Sequence, residues 1–390
     1  MVNIVLLHEG ELPTLEEVYR SFQYLVKNYD VSLKKINSNH FSNKYMRETD
    51  VLICVRGHSP ITYSVLKEAS RLQKKICYFL DDDLKDMPRG SFWFPARGKW
   101  LIKCIGVCDT LMTTNRLIAD EYKEYLKAGQ TVLINATVIP ETIQKPRSQD
   151  DTTKIVMAAS EWHTQNFNRY VKDACIKISE EYRTKVEFYF IGIHPDMTKI
   201  GSTSKIEYVP SMNMETYVNY MTKNKYDIGI GVLKPNHFTE RKYFNKFIEY
   251  TRYGICGIYS KCMPFELVVL DGINGIYTEN TVAGWYRALK KLIDEPSLRR
   301  KCIENAQEYL RTKHNEKYIF TRLISECPWL VNFKAGRAGN MSNYHILWKV
   351  RQIIFRITER IYLTLLSLSL FGLPVTIKKI KRKIKPTGGK

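Results

Sequence analysis

Short apolar segments alternate with helix-like segments through most of this chain, and the alternation occurs twice. The pattern is typical of a parallel sheet with helices on both faces, because each strand is buried on both sides and is joined to the next by a crossover. A single domain typically has about 50 to 250 residues. Two such series in a chain of 390 residues therefore predict two doubly wound α/β domains.

The apolar runs predict the strands and the periodic segments predict the helices. In the first series, strands are predicted at residues 2–7, 51–55, 76–80, 111–114 and 132–134, and helices at 15–27, 63–72 and 116–126. In the second, strands are predicted at 155–158, 186–191, 206–209, 228–232 and 255–259, and helices at 168–181, 214–223, from about 242, 281–293, 296–312 and 316–326. The predicted domains are 1–140 and 154–330, with a polar linker at 141–153 and a basic helical tail at 331–390.

Residues 227–260 carry the most informative polar pattern. A helix that opens near Lys242 places Lys242, Lys246 and Glu249 on one face, because they are four and three residues apart. Two ammonium groups beside a helix N-terminus suit a diphosphate, and a carboxylate one turn further on can accept hydrogen bonds from a pair of sugar hydroxyls. The same spacing also fits an ordinary solvated helix face with a modest ion pair.

The surrounding sequence resembles the nucleotide-sugar site of GT-B glycosyltransferases, especially the retaining group 1 or family 4-like bacterial enzymes. The similarity lies in the DIGIGV strand, in Lys242, in the run KFIEY that begins at Lys246, and in the GICGIYS segment that follows. It implies two Rossmann-like domains, with Lys242 and Lys246 on the donor diphosphate and Glu249 on the ribose. Many family members have a second Glu eight residues before the first, where this chain has Arg241, and we expect Arg241 to add a phosphate contact.

The resemblance extends to other loops of the second domain. Ser160 and His163 match the family's G-S-x-x-H segment, which implies that Ser160 donates to the diphosphate and that His163 reaches the donor. A histidine of the core or of the surface is an equal alternative for His163. Gly192 and Val209 begin segments where the family holds the nucleobase through backbone groups.

The donor chemistry needs no cofactor or metal beyond the nucleotide diphosphate sugar, which is a co-substrate. As the glycosidic bond breaks, Lys242, Lys246 and the helix N-terminus stabilise the departing diphosphate electrostatically.

Loops of the first domain supply the candidates for the acceptor side, since ligands of doubly wound sheets bind beyond the carboxyl ends of the strands. Gly10 follows the first strand, Arg56 and His58 follow the next, and Asp82 and Asp83 follow the third. A glycine that merely forms a turn and a solvated histidine are the plainer explanations of Gly10 and His58.

The run DDDL, which begins at Asp81, contains the D-x-D pattern that GT-A transferases use to bind a divalent cation, and helix capping competes with that interpretation. The run DDDLKDMP also resembles a segment of the group 1-like enzymes that faces the interdomain cleft. We therefore favour an acceptor-side role without metal.

Nine cysteines include no C-x-x-C pair, and several lie in predicted core strands. Cys104 and Cys108 are one helical turn apart, but no second pair completes a zinc site. These features favour free thiols in a reducing, cytosolic compartment. The sequence begins directly with a predicted strand, and we expect no secretory signal.

The tail differs from the rest of the chain in charge. Residues 341–390 contain eleven Lys or Arg and one acid, Glu359, and so carry half of the net charge of +20. An apolar stripe recurs at helical spacing: Val350, Ile354, Ile357, Ile361, Leu365 and Leu368. The cluster KKIKRKIK, which ends at Lys385, follows it.

An apolar helix followed by a cationic cluster predicts that residues 350–385 contact an anionic membrane surface. A helix that packs back on the domains is one alternative. A short spanning segment is another, although residues 361–377 fall short of the ~20 apolar residues that spanning needs and contain Gly372 and Pro374.

Together these features predict a glycosyltransferase on the cytoplasmic face of a membrane, in cell-surface glycan synthesis. It would move a sugar to a lipid-linked or polysaccharide acceptor, with retention implied by the resemblance. A basic nucleic-acid-binding protein is one alternative, but its cations would follow a groove with interleaved aromatics rather than lie beside an apolar run. We therefore expect no nucleic-acid partner. A GT-B nucleotide-sugar epimerase is a second alternative, and it has no need of an anchoring tail.

Overall fold

The computed structural model describes residues 1–85, 94–148, 151–199 and 204–336, together with a helix over 345–384 in which the side chains of 349–369 are described. The chain forms two compact units, one of residues 1–134 with 322–390 and one of residues 135–321. The first boundary thus lies at 134 rather than 140. The predicted linker belongs to the second unit, because Gln144 N donates to Arg252 O (2.8 Å) and Arg147 pairs with the buried Asp227 (2.8 Å).

Unit 1 contains a six-stranded parallel sheet in the order β2-β1-β3-β4-β5-β6. Its strands are β1 (Val2–His8), β2 (Val31–Asn37), β3 (Val51–Val55), β4 (Lys75–Leu80), β5 (Thr110–Thr113) and β6 (Gln130–Leu133). Its helices are α1 (Pro13–Asn28), α2 (Asn43–Glu48), α3 (Pro60–Arg71), α4 (Ala96–Ile105) and α5 (Arg116–Tyr122). All nine cysteines of the chain are free and buried.

Unit 2 contains a second six-stranded parallel sheet, in the order β12-β11-β10-β7-β8-β9. Its strands are β7 (Thr153–Ala158), β8 (Val186–Ile191), β9 (Lys205–Val209), β10 (Ile228–Gly231), β11 (Cys256–Ser260) and β12 (Ile276–Thr278). Its helices are α6 (Thr164–Tyr170), α7 (Lys172–Tyr182), α8 (Met214–Lys223), α9 (His237–Glu240), α10 (Asn245–Arg252), α11 (Val282–Asp294), α12 (Pro296–Lys313) and α13 (Glu316–Glu326), the last of which leads back to unit 1.

The side chains of β7 show that the second sheet is covered on both faces. Ile155 and Met157 belong to one core cluster, whereas Val156 and Ala158 belong to another. Neighbouring strand residues point to opposite faces, so each face has its own core. The predicted pair of doubly wound α/β domains is therefore confirmed.

The strand order places one topological switch point in each sheet. In unit 1 the chain runs from β1 to β2 on one side and then returns to β3 on the other side of β1. In unit 2 it runs from β7 through β8 to β9 on one side and then returns to β10 on the other side of β7. Loops that follow the strands flanking such a point diverge and leave a crevice at the carboxyl edge of the sheet. The crevices of the two units are thus expected between the loops after β1 and β3, and between those after β7 and β10.

The C-terminal segment returns to unit 1 and forms α14 (Trp329–Asn332) and α15 (His345–Ile384). Asp50 anchors the approach to α15, because it accepts hydrogen bonds from Lys334 Nζ (3.2 Å) and Ala335 N (3.1 Å). Within the described part of the chain, no helix combines the length and the apolarity needed to cross a membrane.

Candidate functional site

The crevice of unit 2 contains the first polar loop of that unit. Ser160 follows β7, is exposed, and begins a single 3-10 turn over Glu161–His163. His163 is half-buried, and its pKa is lowered to about 4 by burial and then by the positive charges of Lys242 and Lys246. The imidazole is therefore neutral at pH 7, and the loop after β7 lies within electrostatic reach of both lysines.

Lys242 lies in the turn between α9 and α10, and not in the helix that the sequence predicted to open there. Its N–H donates to Thr239 O (3.2 Å), which closes the end of α9, and α10 begins three residues later at Asn245. Its ammonium lies 4.6 Å from the centre of the Phe238 ring. Arg241 ends α9 and donates to His237 O (3.0 Å). Both cations thus precede the N-terminus of α10 rather than lie along its face.

Lys246 and Glu249 lie on α10, as predicted, and they bond to each other. Lys246 Nζ is 2.7 Å from Glu249 Oε2. The other carboxylate oxygen accepts a hydrogen bond from the hydroxyl of Tyr217 on α8. Burial, followed by the negative charge of Glu249, raises the pKa of Tyr217, so the phenol stays protonated and donates. Glu249 is therefore held from two sides, although its side chain remains 20% exposed.

The position of α10 depends on a glycine in β10. A Cβ added to Gly229 would lie 2.5 Å from the ring of Tyr250, which packs over the strand. The Tyr250 hydroxyl donates to Ile230 O (2.9 Å) on the same strand. The helix therefore lies close against the sheet, with its N-terminal end at the carboxyl edge. Among the described residues no side chain caps that end, and the first N–H groups of a helix lack intrahelical partners.

Gly192 and Val209 have a structural role that the sequence did not indicate. Gly192 has φ +76°, and a Cβ there would lie 2.5 Å from Ala159 O, so only glycine lets the loop after β8 approach the loop after β7. Gly192 N donates to Val209 O (2.9 Å), and the Val209 side chain is buried. These two residues hold together the loops that border the crevice.

The crevice of unit 1 brings together the loops after β1 and β3. His58 N and the hydroxyl of Thr62 both donate to Glu9 Oε1, each at 2.7 Å. Arg97 of α4 lies 3.5 Å from Glu9 and bonds to His58 Nε2. Burial lowers the pKa of His58, Glu9 opposes that shift and Arg97 favours it. His58 is thus a neutral imidazole that links the two loops, not a solvated side chain.

Arg56 adopts a left-handed backbone conformation, with φ +52°. Such a conformation is uncommon for a residue other than glycine and is retained where surrounding contacts enforce it. The guanidinium lies 3.4 Å from Asp81 and 3.2 Å from Asp82. Burial raises the pKa of Asp81 despite the opposing effect of Arg56. The loops after β3 and β4 are thereby held together by charge.

Two of the predicted acceptor-side residues are placed differently from the rest. Asp83 is buried, and it accepts a hydrogen bond from the hydroxyl of Tyr122 (2.6 Å), so it ties its loop to α5 instead of lining a cleft. Gly10 lies in the loop after β1, and its carbonyl oxygen is hydrogen-bonded to His8 Nδ1 (3.1 Å). A Cβ added at Gly10 would meet nothing within 4 Å, so no close contact requires glycine at this position.

The structure adds four residues that the sequence did not identify as part of either cluster: Glu9, Arg97, Tyr217 and Glu359. None lies in a recognisable motif. Glu359 gave a signal as the single acid in a strongly basic tail, and it forms a two-point ion pair with Arg97 (2.8 Å for the Nη2 to Oε2 contact). The remaining three are brought to their clusters by the fold.

The comparison with known proteins rests on structure. No model of a protein family matches the chain. No curated protein is significantly similar to it in sequence. Three similar solved structures are sucrose-phosphate synthase from Thermosynechococcus elongatus, Anabaena HepE in complex with UDP and glucose, and a Listeria monocytogenes protein named as a UDP-N-acetylglucosamine 2-epimerase.

The first of these has a TM-score of 0.62 at 11% identity over 85% of this chain and 99% of its own. HepE has a TM-score of 0.59 at 12% identity over 84% of this chain and 100% of its own. This chain has the GT-B fold. The Listeria protein has a TM-score of 0.54 at 11% identity over 84% of this chain and 96% of its own. Proteins with different names therefore share the GT-B fold, so the fold alone does not identify the activity of this chain, which has to be inferred from the residues of the site.

Proposed function

We propose that this GT-B protein is a glycosyltransferase that takes a sugar from a nucleotide diphosphate sugar. One observation carries the proposal: at the switch point of unit 2, Arg241 and Lys242 directly precede the N-terminus of α10 and Lys246 lies in its first turn. Cations and helix N–H groups together favour a diphosphate. HepE, which has the same fold, is complexed with UDP and glucose, and this supports a nucleotide sugar as the ligand here.

The cluster supplies the electrostatic part of glycosyl transfer. Breaking the glycosidic bond develops negative charge on the departing diphosphate, and Lys242 and Lys246 stabilise that charge more in the transition state than in the ground state. His163 is neutral and within reach of the same lysines, so it can donate a hydrogen bond without adding charge. Glu249 takes the ribose hydroxyls. We also propose that the transfer retains the anomeric configuration of the sugar.

For the acceptor we propose a lipid-linked sugar or a polysaccharide used in cell-surface glycan synthesis. Arg56 is already neutralised by Asp81 and Asp82, so the unit 1 cluster suits a neutral polyol better than a phosphate. Arg56 and Asp82 offer the donors and acceptors that sugar hydroxyls need. The proposal includes residence on the cytoplasmic face of a membrane, through residues 350–385, which the basic sequence of that segment supports.

Calorimetric titration with UDP, GDP, CDP and dTDP tests the donor site directly. We expect one of the four to bind, and Lys246→Ala and Glu249→Ala each to weaken that binding at least tenfold, the scale expected for a lost charge-assisted hydrogen bond. Lys301→Ala, which removes an exposed lysine from α12, is the matched control and should leave affinity unchanged. Equal affinity in wild type, Lys246→Ala and Glu249→Ala would exclude the assignment.

An epimerase is the second candidate, because the Listeria protein shares the fold. The two activities differ in their products. An epimerase returns an intact nucleotide sugar with altered stereochemistry, whereas a transferase passes the sugar to an acceptor hydroxyl, or slowly to water when no acceptor is added, and releases the nucleoside diphosphate. Proton NMR of each binding nucleotide sugar, incubated with the protein, distinguishes them. Appearance of an epimer without diphosphate would favour the second candidate.

A further inference from the structure

Helix α15 packs on unit 1 through one face only. Phe355 is buried and its ring lies 5.4 Å from that of Phe94. Glu359 is 14% exposed and bonds to Arg97 through both carboxylate oxygens. The buried Gln352, one turn before Phe355, accepts a hydrogen bond from a backbone N–H of α3. Residues at this spacing share one side of a helix, which is therefore the docked face.

The opposite side of α15 is apolar and exposed. The side chains along it are between 49% and 60% exposed: Val350, Ile353, Ile354, Ile357, Ile361 and Leu365. At ~100° per residue they fall within about 120° of arc, directly opposite the docked face. The sequence left open that this stripe packs back on the domains. The helix does pack back, but by its other face.

Basic residues flank the stripe. Arg351 and Arg360 are exposed and lie at its two borders, where a long side chain can keep its charge in water while its stem covers apolar surface. The helix continues through Ile384, and its sequence there includes the cationic cluster that follows residue 377. An apolar stripe between cationic borders is complementary to an anionic lipid surface and not to a neutral or cationic one.

We infer that α15 is a preformed interfacial helix, whose stripe enters the headgroup region of an anionic bilayer while its docked face stays on unit 1. The inference rests on the membrane residence included in the proposed function and deepens it. The contact is made by named apolar side chains and not by the terminal cations alone. Because Glu359 and Arg97 join the docked face to the His58 and Glu9 loops, the helix would hold the acceptor-side cluster of unit 1 at the lipid surface.

Vesicle sedimentation with the full-length protein tests the inference. The vesicles are phosphatidylcholine alone, or phosphatidylcholine with one quarter phosphatidylglycerol. The stripe variant is Ile357→Gln with Ile361→Gln, which keeps good helix formers at both sites. Its matched control is Leu267→Gln with Leu270→Gln, which removes two equally exposed leucines from unit 2. A second variant, Lys378→Gln with Lys379→Gln, reduces the terminal cations.

We expect wild type and the control to bind the anionic vesicles and not the neutral ones, and the stripe variant to bind at least tenfold more weakly with an unchanged circular dichroism spectrum. If the stripe variant binds as wild type does while the lysine variant does not, the inference is wrong but the membrane residence stands. If the wild-type protein binds no vesicles, or binds RNA in a gel-shift assay instead, the inference and the proposed membrane residence are both wrong. The donor titration tests the enzymatic proposal independently of this result.

Light scattering without lipid tests the remaining alternative, in which a second copy of the protein covers the stripe. A dimer of wild type that the stripe variant dissociates would show that a second copy covers the stripe, and this result would overturn the inference. A monomer in both cases leaves the stripe available for lipid and supports it.

Discussion

The polar clusters of the two units occupy the same place in two similar sheets but differ in charge. In unit 2, Arg241 and Lys242 precede the N-terminus of α10, and Lys246 pairs with Glu249 within the same helix. In unit 1, each cation faces carboxylates: Arg56 has Asp81 and Asp82, and Arg97 has Glu9 and Glu359. The positive charges of Lys242 and Lys246 therefore act on the loop after β7, where burial and then these charges lower the pKa of His163, whereas the charges of unit 1 pair across its loops.

The difference indicates what each cluster can recognise. A positive field beside the N–H groups of a helix N-terminus favours a bound anion, so the unit 2 cluster is suited to a charged ligand. A paired cluster gains little from a further charge and recognises by hydrogen bonding instead. The fold alone gives two similar crevices, and the charges distinguish one from the other.

The same substitution in both clusters gives the largest expected contrast. Arg56→Met leaves two partly buried carboxylates without their cation, and we expect a loss of about 3 kcal/mol in the free energy of unfolding at pH 7. Lys246→Met breaks a half-exposed pair and should change it by less than about 1 kcal/mol. Urea denaturation measures both.

Nucleotide binding should show the reverse order. Lys246→Met should lose affinity for the nucleoside diphosphate, and Arg56→Met should keep it at a temperature where both variants are folded. If Arg56→Met proved as stable as wild type, the idea of an internally paired unit 1 cluster would be abandoned.

The second test concerns His163, whose folded pKa of about 4 lies below the ~6.5 of an unfolded chain. Between those values the unfolded state binds more protons, so the free energy of unfolding must fall as pH falls from about 6.5 towards 4. At pH 5 this contribution amounts to about 2 kcal/mol. His163→Gln should show a shallower pH dependence, and His40→Gln, at an exposed site, should not.

A ligand sharpens the same test. A bound diphosphate offsets the charges of Lys242 and Lys246, so the pKa of His163 should rise when UDP or the preferred nucleotide is added. Imidazole NMR shifts followed against pH measure this. An unchanged pKa under saturating nucleotide would mean that the lysines do not face the diphosphate.

A smaller effect is expected at Tyr217, which positions Glu249 from α8. Tyr217→Phe removes one hydrogen bond to a carboxylate, and we expect a fivefold to tenfold loss of nucleotide affinity, about 1 kcal/mol. Because Glu249 is proposed to hold the ribose, the preference for UDP over 2′-deoxy-UDP should narrow as well. Tyr220→Phe, whose hydroxyl bonds to Tyr226, is the matched control. If the preference for UDP over 2′-deoxy-UDP fell equally in Tyr217→Phe and Tyr220→Phe, the cause would be a general destabilisation of α8 and not the lost bond to Glu249.

An effect of similar size, confined to α15, is expected at Glu359. Glu359→Gln weakens the two-point pair with Arg97 by about 1 kcal/mol, since the pair is only partly exposed to water. Hydrogen exchange followed by mass spectrometry should show faster exchange in α15 and little change in unit 2. The exposed pair of Arg322 and Glu326 supplies the control, through Glu326→Gln. Equal protection of α15 in wild type and Glu359→Gln would show that the pair does not hold the helix.

The sequence predicted the buried strands and missed two at the sheet edges, β2 and β12. An edge strand is paired on one side only and needs no continuous apolar run, so VSLKKIN of β2 does not resemble the inner strands. The start of α10 was also wrong by three residues. Periodicity alone placed Lys242 on that helix, whereas a capping box at Asn236 starts a separate short helix, α9, which ends at Glu240.

The candidate site was predictable where residues are close in sequence and not where the fold assembles them. Lys246 and Glu249 share a helical turn, so their proximity follows from spacing. The bond from Tyr217 to Glu249 spans 32 residues, and that from Arg97 to Glu359 spans 262. No local pattern encodes such pairs, because they depend on how helices are placed against the sheets.

Unit 1 is built from two distant parts of the chain, and this affects the order in which the molecule can mature. Unit 2 is continuous, so all of its residues leave the ribosome before residue 322 does. Synthesis proceeds from the N-terminus, and domains generally fold as units. The loops around Arg97 must therefore wait for Glu359, and a nascent chain would acquire a finished unit 2 before unit 1 is closed.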